Sequence, residues 1–354
     1  MRPVRPQPGK AGQRYAGCSL PAAENKHENT MTLNEIKEPV DAHLIEFEKR
    51  FRLAMKSRVP LLDTITRYII KRKGKQIRPL FVFFAAQLFG RIDERSYRAA
   101  ALIELLHTAT LIHDDVVDDS NERRGFFSLN ALWKNKISVL VGDYLLSRGL
   151  LLSLEHDDFD LLKIVSNSVR EMSEGELLQI EKARSLDIEE PVYYEIIRKK
   201  TASLIASCLS CGAASTGATP EQIGQMRQIG ELAGIAFQIK DDILDFEHDS
   251  RQKGKPSGVD IKERKMTLPF IYLLNRSSYA DKRSIINTVK KHNMDPRRVA
   301  ELIDQVVESG GLTYAGAQMT HYRDKALELL HQMPHGPAND SLRQLIIFTT
   351  ERES

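Results

Sequence analysis

Cysteine is scarce in this sequence, which has three: Cys18, Cys208 and Cys211. So few thiols exclude a disulfide scaffold and are typical of a reducing compartment. Cys208 and Cys211 have CxxC spacing, but no second CxxC or histidine pair accompanies them, which makes a zinc or redox site the weaker interpretation. Because the residues around them are small and apolar, we expect both thiols to pack inside a helical core.

Long apolar runs are also missing. No stretch reaches the roughly 18 apolar residues of a membrane-spanning helix, and no secretory signal pattern is present. We therefore expect a cytoplasmic protein, with the mitochondrial matrix as the alternative, that has at most peripheral contact with a membrane. The net charge of +3 is too small to indicate a nucleic-acid partner.

Residues 1–30 differ from the rest of the chain. They contain five basic and two acidic residues, an excess equal to the net charge of the whole chain, and four prolines. Such a composition without apolar periodicity predicts a disordered basic extension. Helical patterning begins near Met31, so we assign the folded domain to residues 31–354. We interpret residues 1–30 as an artefact of an upstream start that is not native to the protein, with a transit peptide as the alternative.

Strand patterns and Asn-Gly hairpin signals are absent, whereas helical periodicity recurs along the chain. Pro79 and Gly90, for example, mark the start and the end of one apolar helix. A long buried helix is predicted at about 95–117, and others at about 137–155, 158–182, 190–215, 221–246, 267–275, 280–292, 296–309, 312–333 and 338–351. The predicted fold is all-α, a single large helical bundle, with one long polar loop at 247–265.

Aspartates are concentrated at the ends of two apolar helices. The two clusters share a D-D-x-x-D spacing: Asp114, Asp115 and Asp118 in LIHDDVVDD, and Asp241, Asp242 and Asp245 in FQIKDDILDFE. Like charges at i and i+4 destabilise a helix unless a divalent cation lies between them. Mg²⁺ prefers carboxylate oxygens and shares its coordination shell with substrate phosphates. Two such clusters therefore predict an acidic metal site above an apolar interior.

Basic residues near these clusters could hold a polyphosphate. Each alone is an ordinary surface charge, but together they predict a diphosphate site: Lys75, Arg78, Arg123, Arg124, Lys200, Lys255 and Lys265, with Thr201 beside Lys200. His107 could reach a second anion, and a satisfied core histidine is the alternative. His113 and Asp114 match the HD pair of metal phosphohydrolases, but a second aspartate cluster is not part of that pattern.

These motifs resemble those of the trans-isoprenyl diphosphate synthases, from about residue 40 to the C-terminus. LLHTATLIHDDVVDDSNERRG and GIAFQIKDDILDF resemble the two aspartate-rich motifs of that family. Its other signatures are matched in the same order by GKQIRP, GDYLLSR, EGELLQ, KTA and GKPSGVDIKERKMTLP. The chain looks most similar to the long-chain octaprenyl or solanesyl type, which makes quinone side chains. The resemblance implies the isoprenoid synthase bundle, a central apolar cavity and a homodimer.

The resemblance also implies a role for each matched residue. The two aspartate clusters would bind about three Mg²⁺ ions on an allylic diphosphate. That diphosphate would also be held by Arg123, Lys200 and Lys255, with Lys265 nearby. Isopentenyl diphosphate would be bound by Gly74, Lys75, Arg78, His107 and Arg124, and the reacting carbons would face Thr201 and Gln238. The usual Gly-Gly-Lys-Arg is here Lys73-Gly74-Lys75-Gln76, so one cation near the second diphosphate is absent and we expect an altered affinity.

The implied reaction condenses isopentenyl diphosphate repeatedly onto an allylic diphosphate such as farnesyl diphosphate. Ala109 and Thr110 lie one turn before Asp114, where bulky aromatics in the family close the product tunnel. Because both are small here, we expect a hexaprenyl to decaprenyl product, with the octaprenyl length favoured by the resemblance alone.

Three alternatives stay open at this point. A farnesyl or geranylgeranyl diphosphate synthase would make a shorter product. A class I terpene cyclase would need an N-D-x-x-S-x-x-x-E motif, which the sequence lacks. A non-catalytic subunit of a heteromeric synthase would usually have lost aspartates from one or both clusters, and all six are present.

Overall fold

Helices build almost all of the described chain, which confirms the all-α prediction. The computed structural model describes residues 31–351 except 72–73, 119–121, 124–125, 187–188 and 248–257, and at residues 122, 123, 126 and 247 it describes the backbone alone. The predicted N-terminal extension, residues 1–30, lies outside the described residues. Its predicted disorder and its origin stay predictions.

The described residues contain sixteen α-helices. In chain order they are α1 (Leu33–Lys37), α2 (Asp41–Ala54), α3 (Pro60–Lys71), α4 (Ile77–Phe89), α5 (Glu94–Val117), α6 (Leu129–Leu154), α7 (Phe159–Ser185), α8 (Glu190–Ile197), α9 (Ser203–Ser215), α10 (Pro220–Glu247), α11 (Val259–Lys262), α12 (Leu268–Arg276), α13 (Tyr279–Lys291), α14 (Pro296–Glu308), α15 (Gly311–His331) and α16 (Pro337–Glu351). A 3₁₀ turn, Glu38–Val40, joins α1 to α2.

Three local features differ from the sequence predictions. A two-residue antiparallel pair, β1 (Glu122–Arg123) and β2 (Phe126–Phe127), follows α5, and two residues are too few to show an alternating pattern. The helix predicted at 190–215 is interrupted by a π-helical turn, Arg198–Ala202, between α8 and α9. The loop predicted at 247–265 contains α11. All three lie next to predicted site residues.

α5 is buried along most of its length, as its composition predicts. Its N-terminus is capped by Asp93, whose carboxylate accepts hydrogen bonds from the backbone N–H groups of Arg95 at 2.9 Å and Ser96 at 3.1 Å. The helix packs against α4, α6 and α9. Its C-terminal end therefore has a fixed position in the bundle.

α9 is the central wall of the bundle, and every residue from Ser203 to Ser215 is buried. Cys208 and Cys211 lie inside it as free thiols with no exposed surface. Burial raises the pKa of both thiols, so they are protonated at neutral pH. Their predicted role in core packing is confirmed.

α9 can approach α4 closely because residue 212 is glycine. A Cβ atom there would lie 2.3 Å from the carbonyl oxygen of Val82 and 2.8 Å from the Cβ atom of Ala85. The Val82 carbonyl oxygen belongs to the backbone of α4, so it cannot move away as the end of a flexible side chain can. The separation of the two helices therefore depends on Gly212.

We expect Gly212→Ala to lower the free energy of unfolding by about 1–3 kcal/mol, because it overpacks the contact between α4 and α9. The matched control is Gly224→Ala in α10, where a Cβ would have no heavy atom within 4 Å. That variant should gain up to about 1 kcal/mol from helix propensity. Urea unfolding followed by circular dichroism measures both. Equal stability of the two variants would contradict the packing assignment.

Candidate functional site

The first aspartate cluster lies at the C-terminal end of α5. Asp114 and Asp115 are in its last turn and Asp118 is its C-cap, with the Asp118 N–H donating to the Asp114 carbonyl at 2.8 Å. The predicted i, i+4 spacing of Asp114 and Asp118 is thus kept. α5 is described in full, and its last turn contains no basic residue. Carboxylates at this end are disfavoured by the helix macrodipole, so a cation beside them would be stabilising.

Residues from three other parts of the chain reach this cluster. Partial desolvation is the largest effect on Asp118 and raises its pKa, and the Glu176 carboxylate of α7 adds to the shift. Lys200, from the π-helical turn, and Lys265, which follows α11, act in the opposite direction. The structure therefore brings both lysines near the first cluster, as the sequence predicts.

In the second cluster, at the end of α10, Asp242 is the centre of a hydrogen-bond chain. Its Oδ1 accepts from Nε2 of Gln238 at 2.9 Å, and its Oδ2 accepts from the hydroxyl of Tyr193 at 2.7 Å. The Oε1 atom of Gln238 accepts in turn from the hydroxyl of Thr201 at 2.7 Å. Thr201 and Gln238, which the resemblance places near the reacting carbons, are therefore in direct contact.

The environment of Asp242 is strongly acidic. Burial is the main cause that raises its pKa to about 8, and the neighbouring Asp260 carboxylate contributes. The hydrogen bonds from Gln238 and Tyr193 act in the opposite direction by stabilising the carboxylate. Burial and the neighbouring acids thus favour the protonated form of Asp242, and a bound cation would favour the carboxylate at this position.

Asp245 connects the second cluster to α11. Its two carboxylate oxygens accept from the backbone N–H groups of Val259 and Asp260, each at 3.1 Å. Its carbonyl accepts from the N–H of Gly258 at 3.3 Å. Gly258 has φ 71°, a left-handed conformation that glycine adopts without strain. This turn explains why glycine precedes Val259 in the GKPSGVD motif.

Asp260 is a site residue that the sequence analysis missed. Burial is the main cause that raises its pKa to about 6, Lys265 lowers it, and Asp245 is among the carboxylates that raise it. Lys265 Nζ lies 3.7 Å from its carboxylate. Burial acts to lower the pKa of Lys265, but Asp260, Glu263 and Asp118 together raise it. Lys265 therefore interacts with Asp118 of the first cluster and with Asp260, whose backbone N–H donates to Asp245 of the second.

The π-helical turn presents Lys200 and Thr201. Lys200 forms an ion pair with Glu176 of the EGELLQ motif. Ser203 supports the turn, because its hydroxyl donates to the carbonyl of Lys199 at 2.6 Å. A Cβ at Gly175 would lie 2.9 Å from the backbone nitrogen of Lys200, so α7 can approach the turn only through a glycine. π-helical turns are frequent at functional sites.

The residues predicted for the second diphosphate lie around the start of α4. Gly74 and Lys75 precede that helix and are exposed. Arg78 is in its first turn and forms a two-point ion pair with Glu104 of α5, from Nε at 2.8 Å and from a second guanidinium nitrogen at 3.2 Å. Gln76 donates to Glu48 of α2 at 3.0 Å, so its side chain is directed towards α2. Glu104 is a further residue that sequence patterns did not identify.

His107 and the two predicted chain-length residues lie on α5 before the aspartates. His107 is half-buried and seven residues from Asp114, a spacing that puts both on one helical face. Ala109 is buried in an apolar cluster between α3, α5 and α6, whose partly buried members include Tyr68 and Trp133. The hydroxyl of Thr110 donates to the carbonyl of His107 at 2.9 Å.

Two cavities of the structure lie away from these residues. One, of about 10 Å³, is lined by serines of α7 and α9, and an open groove of about 760 Å³ lies between α12, α13 and α14. No predicted site residue lines either space, so the central apolar cavity stays a prediction. Lys255 and Arg124 lie outside the described residues, and Arg123 is described as backbone in β1.

The structure is a helical bundle in which two helices end in aspartates and two lysines lie near the first of these ends. The chain belongs to the polyprenyl synthetase family, whose model matches residues 59–306. It is 32% identical over 323 residues to the octaprenyl diphosphate synthase of Escherichia coli (strain K12), which covers 91% of this chain and 100% of that protein. The protein is thus a prenyltransferase.

Solved structures show the same fold. A decaprenyl diphosphate synthase from Rhodobacter capsulatus superposes with a TM-score of 0.85 at 33% identity, over 91% of this chain and 100% of that one. A polyprenyl synthase from Caulobacter crescentus CB15, complexed with calcium and isoprenyl diphosphate, gives a TM-score of 0.85 at 31% identity, over 92% and 99%. The predicted isoprenoid synthase bundle is confirmed.

Relatives of similar identity differ in the product length that their names give. A short chain isoprenyl diphosphate synthase from Methanothermobacter thermautotrophicus is 35% identical over 290 residues, which is 81% of this chain and 89% of that protein. Overall identity therefore does not indicate product length, which has to be inferred from individual residues near the aspartates.

Proposed function

We propose that the protein adds isopentenyl diphosphate repeatedly to an allylic diphosphate and releases a long-chain all-trans polyprenyl diphosphate. The observation that carries the proposal is the pair of aspartate clusters at two helix ends, with Lys200 and Lys265 beside the first of them. The long-chain relatives support the reaction and the product class. A role in making quinone side chains extends the same proposal.

The carboxylates of both clusters fit Mg²⁺, because hard divalent cations prefer carboxylate oxygens and often share their shell with substrate phosphates. The negative ends of α5 and α10 add to the attraction. We propose that the two clusters, with Asp114, Asp115 and Asp118 on one side and Asp241, Asp242 and Asp245 on the other, hold about three ions. Bound there, Mg²⁺ would neutralise charge on the leaving diphosphate.

The side chains of the protein perform the remaining tasks. Lys200 and Lys265 stabilise the diphosphate as the allylic C–O bond breaks and its electron pair leaves with the diphosphate. The double bond of isopentenyl diphosphate then attacks the allylic cation and forms the new C–C bond. A proton leaves the adduct and is accepted by the departing diphosphate. Thr201 and Gln238 lie beside the reacting carbons, and Arg78 and His107 hold the second diphosphate.

Incubating the purified protein with farnesyl diphosphate, labelled isopentenyl diphosphate and Mg²⁺ tests the reaction. We expect long polyprenyl diphosphates, and no product when the metal is chelated. Asp114→Asn should lower kcat by about a hundredfold or more, because a ligand to the charge-stabilising ion is lost. Asp304→Asn, an exposed position on α14, is the matched control and should behave as wild type. Cyclic hydrocarbons, or no turnover, would contradict the proposal.

Product length is tested at Ala109, which is 2% exposed beneath the first cluster. A phenylalanine there would fill the space along which the growing chain is proposed to extend. We expect Ala109→Phe to shorten the main product, whereas Ala109→Ser, which nearly conserves volume, should keep it. Chromatography of the dephosphorylated products measures the length even if total activity falls. A product of unchanged length from Ala109→Phe would refute the tunnel argument.

We also propose that α6 is the contact between two copies of the chain. One side of this helix exposes large apolar residues, namely Leu132, Val139, Leu140, Leu151 and Leu154. In the described part of the chain, α6 alone is long and apolar enough to cross a membrane by length and composition, and only a third of its most apolar window is buried within one copy of the chain. Asp143 and Ser147 lie among the apolar residues, and such mixed faces suit a protein surface better than lipid. A homodimer would pair this face with itself.

Light scattering tests the dimer. We expect the wild type to have twice the mass of one chain, and Leu140→Glu to shift it to the monomer because a charge would be buried in the contact. Met294→Glu, at an even more exposed apolar position outside α6, is the control and should stay dimeric. A monomeric wild type, as expected for a chain that needs a different partner subunit, would refute the homodimer.

A further inference from the structure

Tyr193 is buried on α8 and has no role in the motifs described above. Its side chain is 3% exposed and packs in the apolar cluster of α8, α10 and α12. Its hydroxyl lies at the edge of this cluster and donates to Oδ2 of Asp242 at 2.7 Å. Buried tyrosines usually direct the hydroxyl to a partner. Here the partner belongs to one of the aspartate clusters.

The same carboxylate is held from its other side. Oδ1 of Asp242 accepts from Gln238 at 2.9 Å, and Gln238 accepts from Thr201 at 2.7 Å. Tyr193 and Thr201 lie in one continuous stretch, α8 and the π-helical turn, eight residues apart. This stretch therefore contacts α10 at two points, which are joined through Gln238 and Asp242. Lys200 lies between the two points.

The two donors fix the orientation of the carboxylate. The terminal torsion of an aspartate is broad, so the plane of an unrestrained carboxylate rotates easily. One donor on each oxygen removes that rotation. When a bound cation keeps Asp242 ionised, hydrogen bonds to it are about twice as strong as those between neutral groups. Without the hydroxyl, Gln238 would be the one remaining side-chain donor to Asp242 among the described residues.

We propose that Tyr193 is a positioning residue. Its hydroxyl fixes the orientation of Asp242 and thereby keeps the second aspartate cluster at a fixed position relative to the turn that carries Lys200 and Thr201. The proposal rests on the proposed function, because it concerns how the groups of that same metal–diphosphate site are positioned. The hydroxyl acts through Asp242 and does not contact substrate. Its loss should affect the binding of a metal–diphosphate complex and spare the binding of isopentenyl diphosphate.

Tyr193→Phe removes the hydroxyl and keeps the ring. The chain offers a matched control in Tyr194→Phe, since the next residue is also a tyrosine, and its hydroxyl is directed to Gln318 of α15 at 3.4 Å. Calorimetry with Mg²⁺ and inorganic pyrophosphate measures binding without turnover. Steady-state kinetics separates kcat from the KM for isopentenyl diphosphate.

We expect Tyr193→Phe to weaken binding of Mg²⁺ with pyrophosphate by about tenfold and to lower kcat by a similar factor, as the loss of a hydrogen bond to a charged group implies. The KM for isopentenyl diphosphate should change by less than about twofold. Tyr194→Phe should match the wild type in every measurement. In an Asp242→Asn background, Tyr193→Phe should have little further effect on binding, because the group through which it acts has changed.

Several results would overturn the positioning role. These are wild-type pyrophosphate binding and kcat in Tyr193→Phe, an equal loss in Tyr194→Phe, or an undiminished effect in the Asp242→Asn background. A Tyr193→Phe chain that does not fold would also overturn it, because the hydroxyl would then serve folding. If the wild type itself neither binds Mg²⁺ with pyrophosphate nor extends farnesyl diphosphate, the proposed function fails, and the positioning role fails with it.

Discussion

Two helices end in aspartates, and the charge of these carboxylates adds to the negative end of each helix dipole. Each carboxylate in such a position costs about 0.3–1 kcal/mol at an exposed site, and more where it is partly buried. Several parts of the fold act against this repulsion. Lys265 interacts with Asp118 of the first cluster, and backbone N–H groups at the start of α11 contact Asp245 of the second. A bound cation would further reduce the repulsion among these carboxylates.

The surrounding bundle holds these charges in place. α5 is capped at its start by Asp93 and buried along its length, so its acidic end is fixed. The π-helical turn lies against α7 at Gly175 and against α10 at Gly234, where a Cβ would come within 3 Å of backbone atoms of Lys200 and Ala202 respectively. The small residues of the core thus determine how closely Lys200 and Thr201 approach the aspartates.

The sequence was most informative where charge conflicts with local structure. Six aspartates at the ends of apolar helices have no structural explanation, and their spacing identified both clusters. Helix positions followed from apolar periodicity, because burial of one face gives a regular pattern. The π-helical turn gave no such signal. It differs from an α-helical turn in its hydrogen-bond pattern, and no particular residue type is required for it.

Residues that act through tertiary contacts could not be found in the same way. Tyr193 lies in an apolar stretch and its ring packs there, so nothing in the sequence distinguishes its hydroxyl. Glu104 is an isolated charge on a buried helix, and its partner Arg78 is 26 residues away. Asp260 was overlooked among the lysines of its motif. A lone acidic residue within an otherwise apolar stretch of a helix, such as Glu104, is a sequence signal that can indicate a tertiary ion pair.

The central claim is that the two acidic helix ends form one site for a divalent cation and a diphosphate. Thermal unfolding with Mg²⁺ alone, pyrophosphate alone and both together tests it most directly, because a ligand that binds only the folded state raises Tm. The account predicts a rise with both that exceeds the sum of the separate effects. A Tm that pyrophosphate alone raises as much as the combination does, or that does not change with both, would contradict it.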